Sequence, residues 1–300
     1  MRKFLFVLVV LILCFTPVFS EKIRLEDKAL GVSIIMENRS NIGTFSIGGL
    51  YNGNFEKLTY NYPDPWRGTF ITIRVDNKNY CNSILPINAK ANASHLDNFI
   101  IEYPKLEGNK TEVSWMLPEK VRVTERLKAI ENGALIEIEL ENLGEKTREV
   151  GARLHLDTML GQNDGAPIYI PGDGLLDHEK VYENESLNFR YWKAYNREDK
   201  PTVIATGILK SDKLNLTYPS KIIVGNWKKT LRSAWNYEAS PFRSILFDSS
   251  VLMYFGPISL EPKEKVVFRT AYINGEPLLP SEKGYFGIAE ITLNKISGEY

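Results

Sequence analysis

The chain has 300 residues, 37 basic and 37 acidic side chains, a formal net charge of zero and 43% hydrophobic residues. That balance excludes the basic excess expected of a nucleic-acid binder. The length is ample for one large core or two smaller ones.

Arg2-Lys3 opens the chain, an unbroken apolar run follows over 4–15, and Val18-Phe19-Ser20 closes the segment with small residues at the cleavage-determining positions. This is the pattern of a secretory signal peptide over residues 1–20, and it is short for a spanning helix. An uncleaved N-terminal anchor is the alternative. Lipoprotein processing would need a small residue before Cys14, and Leu13 stands there. The expectation is export to the periplasm, the cell surface or the medium, with no transmembrane span after cleavage and one domain over 21–300. Cleavage removes Arg2, Lys3 and Cys14 and leaves 35 basic against 37 acidic residues. Cys81 then has no partner for an intrachain disulfide, and a lone cysteine in an oxidising compartment is expected to be buried. Sequons at Asn38, Asn92, Asn109, Asn184 and Asn215 matter only in a glycosylating host.

Strand-like runs follow in order at 34–36, 44–47, 70–75, 99–103 and 113–116, separated by Gly, Pro and Asn clusters. Between 121 and 141, two alternating runs flank Glu131-Asn132-Gly133, where Asn-Gly is a strong hairpin signal. In the second run Ile136, Ile138 and Leu140 alternate with Glu137, Glu139 and Glu141, so one face packs and the other meets water. Further runs occupy 203–209, 222–224, 244–254, 266–273 and 286–296. No helical period extends beyond about two turns and no repeat is present. The pattern predicts an all-β fold, a large antiparallel β-sandwich.

The segment 153–179 departs from ordinary scaffold. Leu154 and Leu156 face one way and Arg153, His155 and Asp157 the other, because successive strand side chains alternate. Loops rich in Gly, Asn and Asp follow. The polar strip can contact sugar: Arg offers a fork of donors, Asp accepts from hydroxyls, and His exchanges a proton near neutrality. In an epimerase or lyase His155 would be the general acid. The competing readings are a solvated strand face or an Arg153–Asp157 pair. Asp157, Asn163, Asp164 and Asp173 are expected to converge, and such an oxygen-rich loop can hold calcium. Otherwise the loop is two turns, Asn163-Asp164-Gly165 and Gly172-Asp173-Gly174, capped by Asx side chains. Calcium is the single cofactor the segment calls for, and three histidines in the whole chain argue against zinc.

Trp66, Trp192, Trp227 and Trp235 stand beside loop-forming residues. An exposed Trp stacks on a sugar ring, and in Asn226-Trp227 and Trp235-Asn236 an amide flanks the indole. Corner packing in a large sandwich is the alternative role. Neither a nucleophile elbow, a phosphate loop, a zinc-protease helix nor a dinucleotide fingerprint occurs.

The hairpin, the turn Leu143-Gly144-Glu145 and the strand over 150–157 resemble a phrase of the galactose mutarotase-like supersandwich fold. The run Leu260-Glu261-Pro262-Lys263-Glu264-Lys265 is similar to the closing turn of such domains, where L-x-P-G-E is usual and Lys263 here replaces glycine. The resemblance implies a strand that delivers polar side chains to the concave face. The phrases YPDPWRGTFITIRVD (62–76) and VGARLHLDTMLGQNDGAPIYIPGDG (150–174), with D-T-x-x-G-x-N-D-G-A-P, resemble exported bacterial sandwich proteins without an assigned reaction, which implies fold and export. The function expected is an exported envelope or extracellular module, non-catalytic, binding a polysaccharide or a partner protein. The alternatives are a carbohydrate-active enzyme of epimerase or polysaccharide lyase type with His155 as acid, and a purely structural envelope component.

Overall fold

Alternating β-branched and aromatic residues bounded by Asn and Gly turns produce a molecule built almost entirely of strands. The structure, a computed structural model, describes residues 22–65, 68–83 and 93–276. The signal segment, Trp66 and the strand read at 286–296 lie outside the described residues.

Strands β1 (Lys22–Asp27), β2 (Val32–Glu37), β3 (Phe45–Tyr51) and β4 (Asn54–Lys57) form a four-stranded sheet in chain order. Strands β5 (Phe70–Val75) and β6 (Lys78–Cys81) make a hairpin, to which β7 (Ala93–His95) adds in parallel. Next come β8 (Ile100–Glu107), β9 (Lys110–Met116), β10 (Val121–Ile130) and β11 (Gly133–Asn142), an antiparallel meander. The chain continues through β12 (Arg148–Asp157), β13 (Ile168–Ile170), β14 (Gly174–Leu176), β15 (Lys180–Glu183), β16 (Tyr191–Tyr195), β17 (Ile204–Ile208) and β18 (Lys221–Asn226). A single helical turn α1 (Trp227–Thr230) precedes β19 (Ser249–Leu260) and β20 (Lys265–Asn274). A nine-stranded sheet has the order β14-β13-β16-β17-β20-β11-β10-β9-β8, and a seven-stranded sheet the order β15-β18-β19-β12-β5-β6-β7. The expected all-β sandwich is what the chain forms.

The two large sheets share one apolar interior. β12 contributes Val150, Ala152, Leu154 and Leu156 to it, β19 contributes Val251, Met253 and Phe255, and β11 contributes Ile136, Ile138 and Leu140. On the opposite face of β11 the glutamates do not stand alone. Glu137 pairs with Arg269, Glu139 with Arg126, and Glu141 with Arg122, each on a neighbouring strand. Cys81 is free and buried, as the sequence reading expected.

One turn differs in detail from the sequence reading. In the β10–β11 hairpin the closing pair is Ile130↔Gly133, so Glu131 and Asn132 form the turn and Asn132 supplies the positive φ of 58°. Gly133 belongs to the strand, and a Cβ there would lie 2.4 Å from the Tyr272 carbonyl oxygen. Its role is to let β20 approach. The two turns that carry the family resemblance also meet. The buried Asn142 amide donates to the Lys146 and Leu260 carbonyls, and the Lys263 N–H donates to the Asn142 carbonyl.

Candidate functional site

β12 alternates as its sequence requires, with Leu154 and Leu156 in the shared core and Arg153, His155 and Asp157 on the other face. That face was expected to be open, yet all three side chains are 0% exposed. The cause is the connection between β18 and β19, which folds back over the outer face of the seven-stranded sheet as a roof. α1 sets the Trp227 ring 4.6 Å from the His155 ring, and Phe70 of β5 closes the other side at 4.7 Å. His155 Nε2 lies 3.0 Å from Thr230 Oγ1, and that hydroxyl is 3.1 Å from Ser250 Oγ. Burial first, and the Arg153 charge second, hold the imidazole well below its usual pKa, so it is neutral. Arg153 Nη1 donates to the carbonyls of Ser233 (2.8 Å) and Trp235 (3.4 Å), and its Nη2 donates to Thr72 Oγ1. It makes no ion pair with Asp157. Arg153 and His155 therefore fasten the roof, and neither presents an atom to solvent.

Beneath the roof, Ile223, Leu252, Tyr254 and Trp235 form a second small core. A buried carboxylate holds it down. The Glu179 side chain is fully buried; its Oε1 accepts hydrogen bonds from the Asn226 N–H and the Tyr237 hydroxyl, and its Oε2 accepts from the Ser240 N–H and pairs with Arg243 at 2.7 Å.

Among the described tryptophans, Trp192 and Trp235 present no open face to a sugar. Trp192 is 0% exposed and packs against Tyr272, and Trp235 is 8% exposed with its edge to Tyr254 and the Arg74 guanidinium over its ring. Trp227 is half-buried against His155. In a sandwich this large the indoles fill the space between layers, where their area is worth most. Among the described residues the most exposed rings are Phe242 and Phe247, at 91% and 86%, followed by Tyr103. Sequence reasoning placed Phe247 inside a strand over 244–254, but the strand begins at Ser249.

Asp157 ends β12 at the margin of the roof, where two other carboxylates reach it. The loop after β12 is pressed against the end of the roof. The Ser249 N–H donates to the Asp164 carbonyl, and a Cβ on Gly165 would lie 2.0 Å from the Leu246 carbonyl oxygen. Only glycine permits that approach. It brings carboxylate oxygens of Asp157, Asp164 and Asp248 within 4.8 Å of one another. Asp157 is 0% and Asp248 5% exposed. Neither oxygen of Asp157, and neither Asp164 Oδ1 nor Asp248 Oδ1, has a hydrogen-bond partner in the protein. Burial, then Asp164 and Asp248, raise the Asp157 pKa well above the carboxylate range. Burial, then Asp164, push Asp248 up to about 6 against the opposing charge of Lys228, whose Nζ is 3.7 Å from it.

The expected convergence of Asp157, Asn163, Asp164 and Asp173 is thus half realised. The Asn163 amide is committed to the Asn196 carbonyl and the Gly165 N–H, which shapes the loop. Asp173 sits in the β13–β14 turn, bound to the Tyr182 hydroxyl at 2.6 Å and Lys180 at 2.8 Å. Asp248 replaces them. Its signal in the sequence was an acidic side chain directly before Ser249-Ser250, which the strand reading absorbed.

The same loop forms one wall of an open depression of about 530 Å³ lined by Glu56, Gln162, Asn163, Asn196, Thr202 and Val203. Gln162 and Thr202 are exposed there.

No protein-family model matches the chain, and no curated protein sequence is significantly similar to it. Solved structures are similar in fold. A galactose mutarotase-like protein from Lactobacillus casei aligns with a TM-score of 0.50 at 9% identity, covering 85% of this chain and 100% of that one. A protein from Synechocystis sp. aligns with a TM-score of 0.50 at 10% identity, covering 92% and 99%. The fold is that of the galactose mutarotase-like sandwich proteins.

Proposed function

We propose that this chain is an exported, non-catalytic sandwich module that binds a polysaccharide at the loop end carrying the depression and Phe247. The observation that carries this reading is the closure of the β12 strip beside an open, polar depression. A catalytic reading on this fold uses polar groups delivered by β12. Here Phe70, Trp227 and Thr230 enclose His155, so the general acid of an epimerase or lyase has no path to a glycosidic or ring oxygen. The depression instead offers the Gln162 amide, the Thr202 hydroxyl and the Glu56 carboxylate to sugar hydroxyls. Depressions of this size suit small ligands or a short stretch of a chain. The signal-like N-terminus supports export, which would place such a module where polysaccharides are found.

An aldose mutarotase activity is the second reading, favoured by the likeness to the galactose mutarotase-like protein from L. casei. Affinity electrophoresis through gels cast with a panel of acidic and neutral polysaccharides separates the two. The module reading expects retardation by at least one polymer, weakened several-fold in Gln162→Ala, and no acceleration of aldose mutarotation by polarimetry. Mutarotation above the buffer rate that is lost in His155→Gln would overturn it. So would the absence of retardation by every polymer.

A further inference from the structure

We propose that Asp157, Asp164 and Asp248 form a binding site for one divalent cation, of the calcium class. The cluster is out of balance. Three carboxylates meet within 4.8 Å, one of them wholly buried and another nearly so, and four of their six oxygens have no donor in the protein. Buried oxygens without donors are rare, because each forfeits the hydrogen bond it had with water. Like charges so close in a low dielectric also repel strongly. The nearby cations do not cancel this. Lys228 reaches Asp248 but its side chain is 79% exposed, and Lys57 acts on Asp164 only through its charge. The Asp157 oxygens point to no lysine, arginine or backbone N–H.

A cation answers the charge and the missing donors together. The ligand atoms are all oxygen, which selects a hard ion, and no His or Cys belongs to the cluster to favour zinc. A buried set of protein oxygens also suits calcium better than magnesium, which dehydrates reluctantly and usually keeps several waters. The partly exposed Asp164 leaves an approach from solvent. Such an ion would tie the end of β12, the 160–165 loop and the start of β19 into one unit, and the 160–163 loop walls the depression. The inference stands on the carboxylates alone and does not depend on sugar binding.

The competing arrangement is a protonated cluster in which one or more carboxyls are neutral. Thermal unfolding of the full exported chain at pH 7 distinguishes them, first in excess chelator and then with calcium, magnesium or zinc. The cation site expects calcium to raise the midpoint by several degrees, magnesium by less and zinc least. Asp248→Asn and Asp164→Asn should unfold in chelator at or above the wild-type midpoint, since each removes a repulsion, and should lose the calcium response. Terbium should show sensitised emission on excitation of the nearby aromatic rings, displaced by calcium and absent from both variants. An unchanged midpoint with calcium, together with no sensitised terbium emission from the folded wild type, would overturn the proposal. Asn variants stabilised at pH 7 in a chain indifferent to every cation would assign the site to shared protons instead.

Discussion

Lys263 occupies the turn between β19 and β20 with φ at 68°, a region where a Cβ collides with the adjacent backbone. The sandwich domains this turn resembles place glycine there, so the lysine carries a cost that its neighbours offset: its N–H donates to the Asn142 carbonyl. Lys263→Gly is expected to stabilise the fold by about 1 kcal/mol, read as a rise in the urea midpoint with no change in slope. A fall in the midpoint would mean that the lysine side chain makes a compensating contact.

Asp248 makes a second test at this scale. Its folded-state pKa of about 6 lies above the unfolded carboxylate value near 3.9. Between those values folding takes up a proton, so this group's contribution to stability falls as pH rises through the window and stays lost above it. In chelator, the advantage of Asp248→Asn over wild type should therefore grow from about pH 4 to pH 7. A difference independent of pH would show that the carboxyl ionises as freely in the folded chain as in the unfolded one. The sequence could not assign this residue. Its neighbours Asp157 and Asp164 were legible because they end or follow an alternating strand, but Asp248 joins them only through a fold-back 84 positions downstream of Asp164.

The roof is the element that decides what β12 can do. Alternation along 153–157 was readable, since strand geometry alone dictates it. What covers the outer face was not, because 227–248 has no period of its own and gains its structure from the sheet beneath. Glu179 carries no signal at the end of the 153–179 segment, although it accepts from Asn226, Tyr237, Ser240 and Arg243. Removing a buried acceptor leaves its donors unsatisfied, at about 1–3 kcal/mol each before relaxation. Glu179→Ala should lower stability by about 3 kcal/mol or more, with hydrogen exchange accelerating first across 237–245. Uniform acceleration through β12 and β19 instead would mean that roof and sheet open as one unit.

At the scale of the whole molecule, the fold class was legible from the strand runs, the Asn and Gly turns and the missing helical period. Of the described residues 55% are strand and 5% helix, and the sandwich matches the one its turns resemble. The layering was less legible, because apolar runs report burial without reporting against what. Trp192 and Trp235 read as loop aromatics and prove to be filling between layers. The same blindness made the Arg153–His155–Asp157 strip look like a surface, whereas a third layer seals it. That sealing moves the proposed ligand site from the strip to the loop end. The most direct test is an NMR titration of the imidazole of His155, assigned by comparison with His155→Gln. Burial against Phe70 and Trp227 should hold the midpoint of the ring well below that of a free imidazole in the folded protein, because desolvation disfavours the charged form. Its resonances should also stay unmoved when sugars are added. A midpoint near the ordinary value of about 6.5, or resonances that shift with added monosaccharide, would place His155 in contact with solvent and ligand and contradict the account.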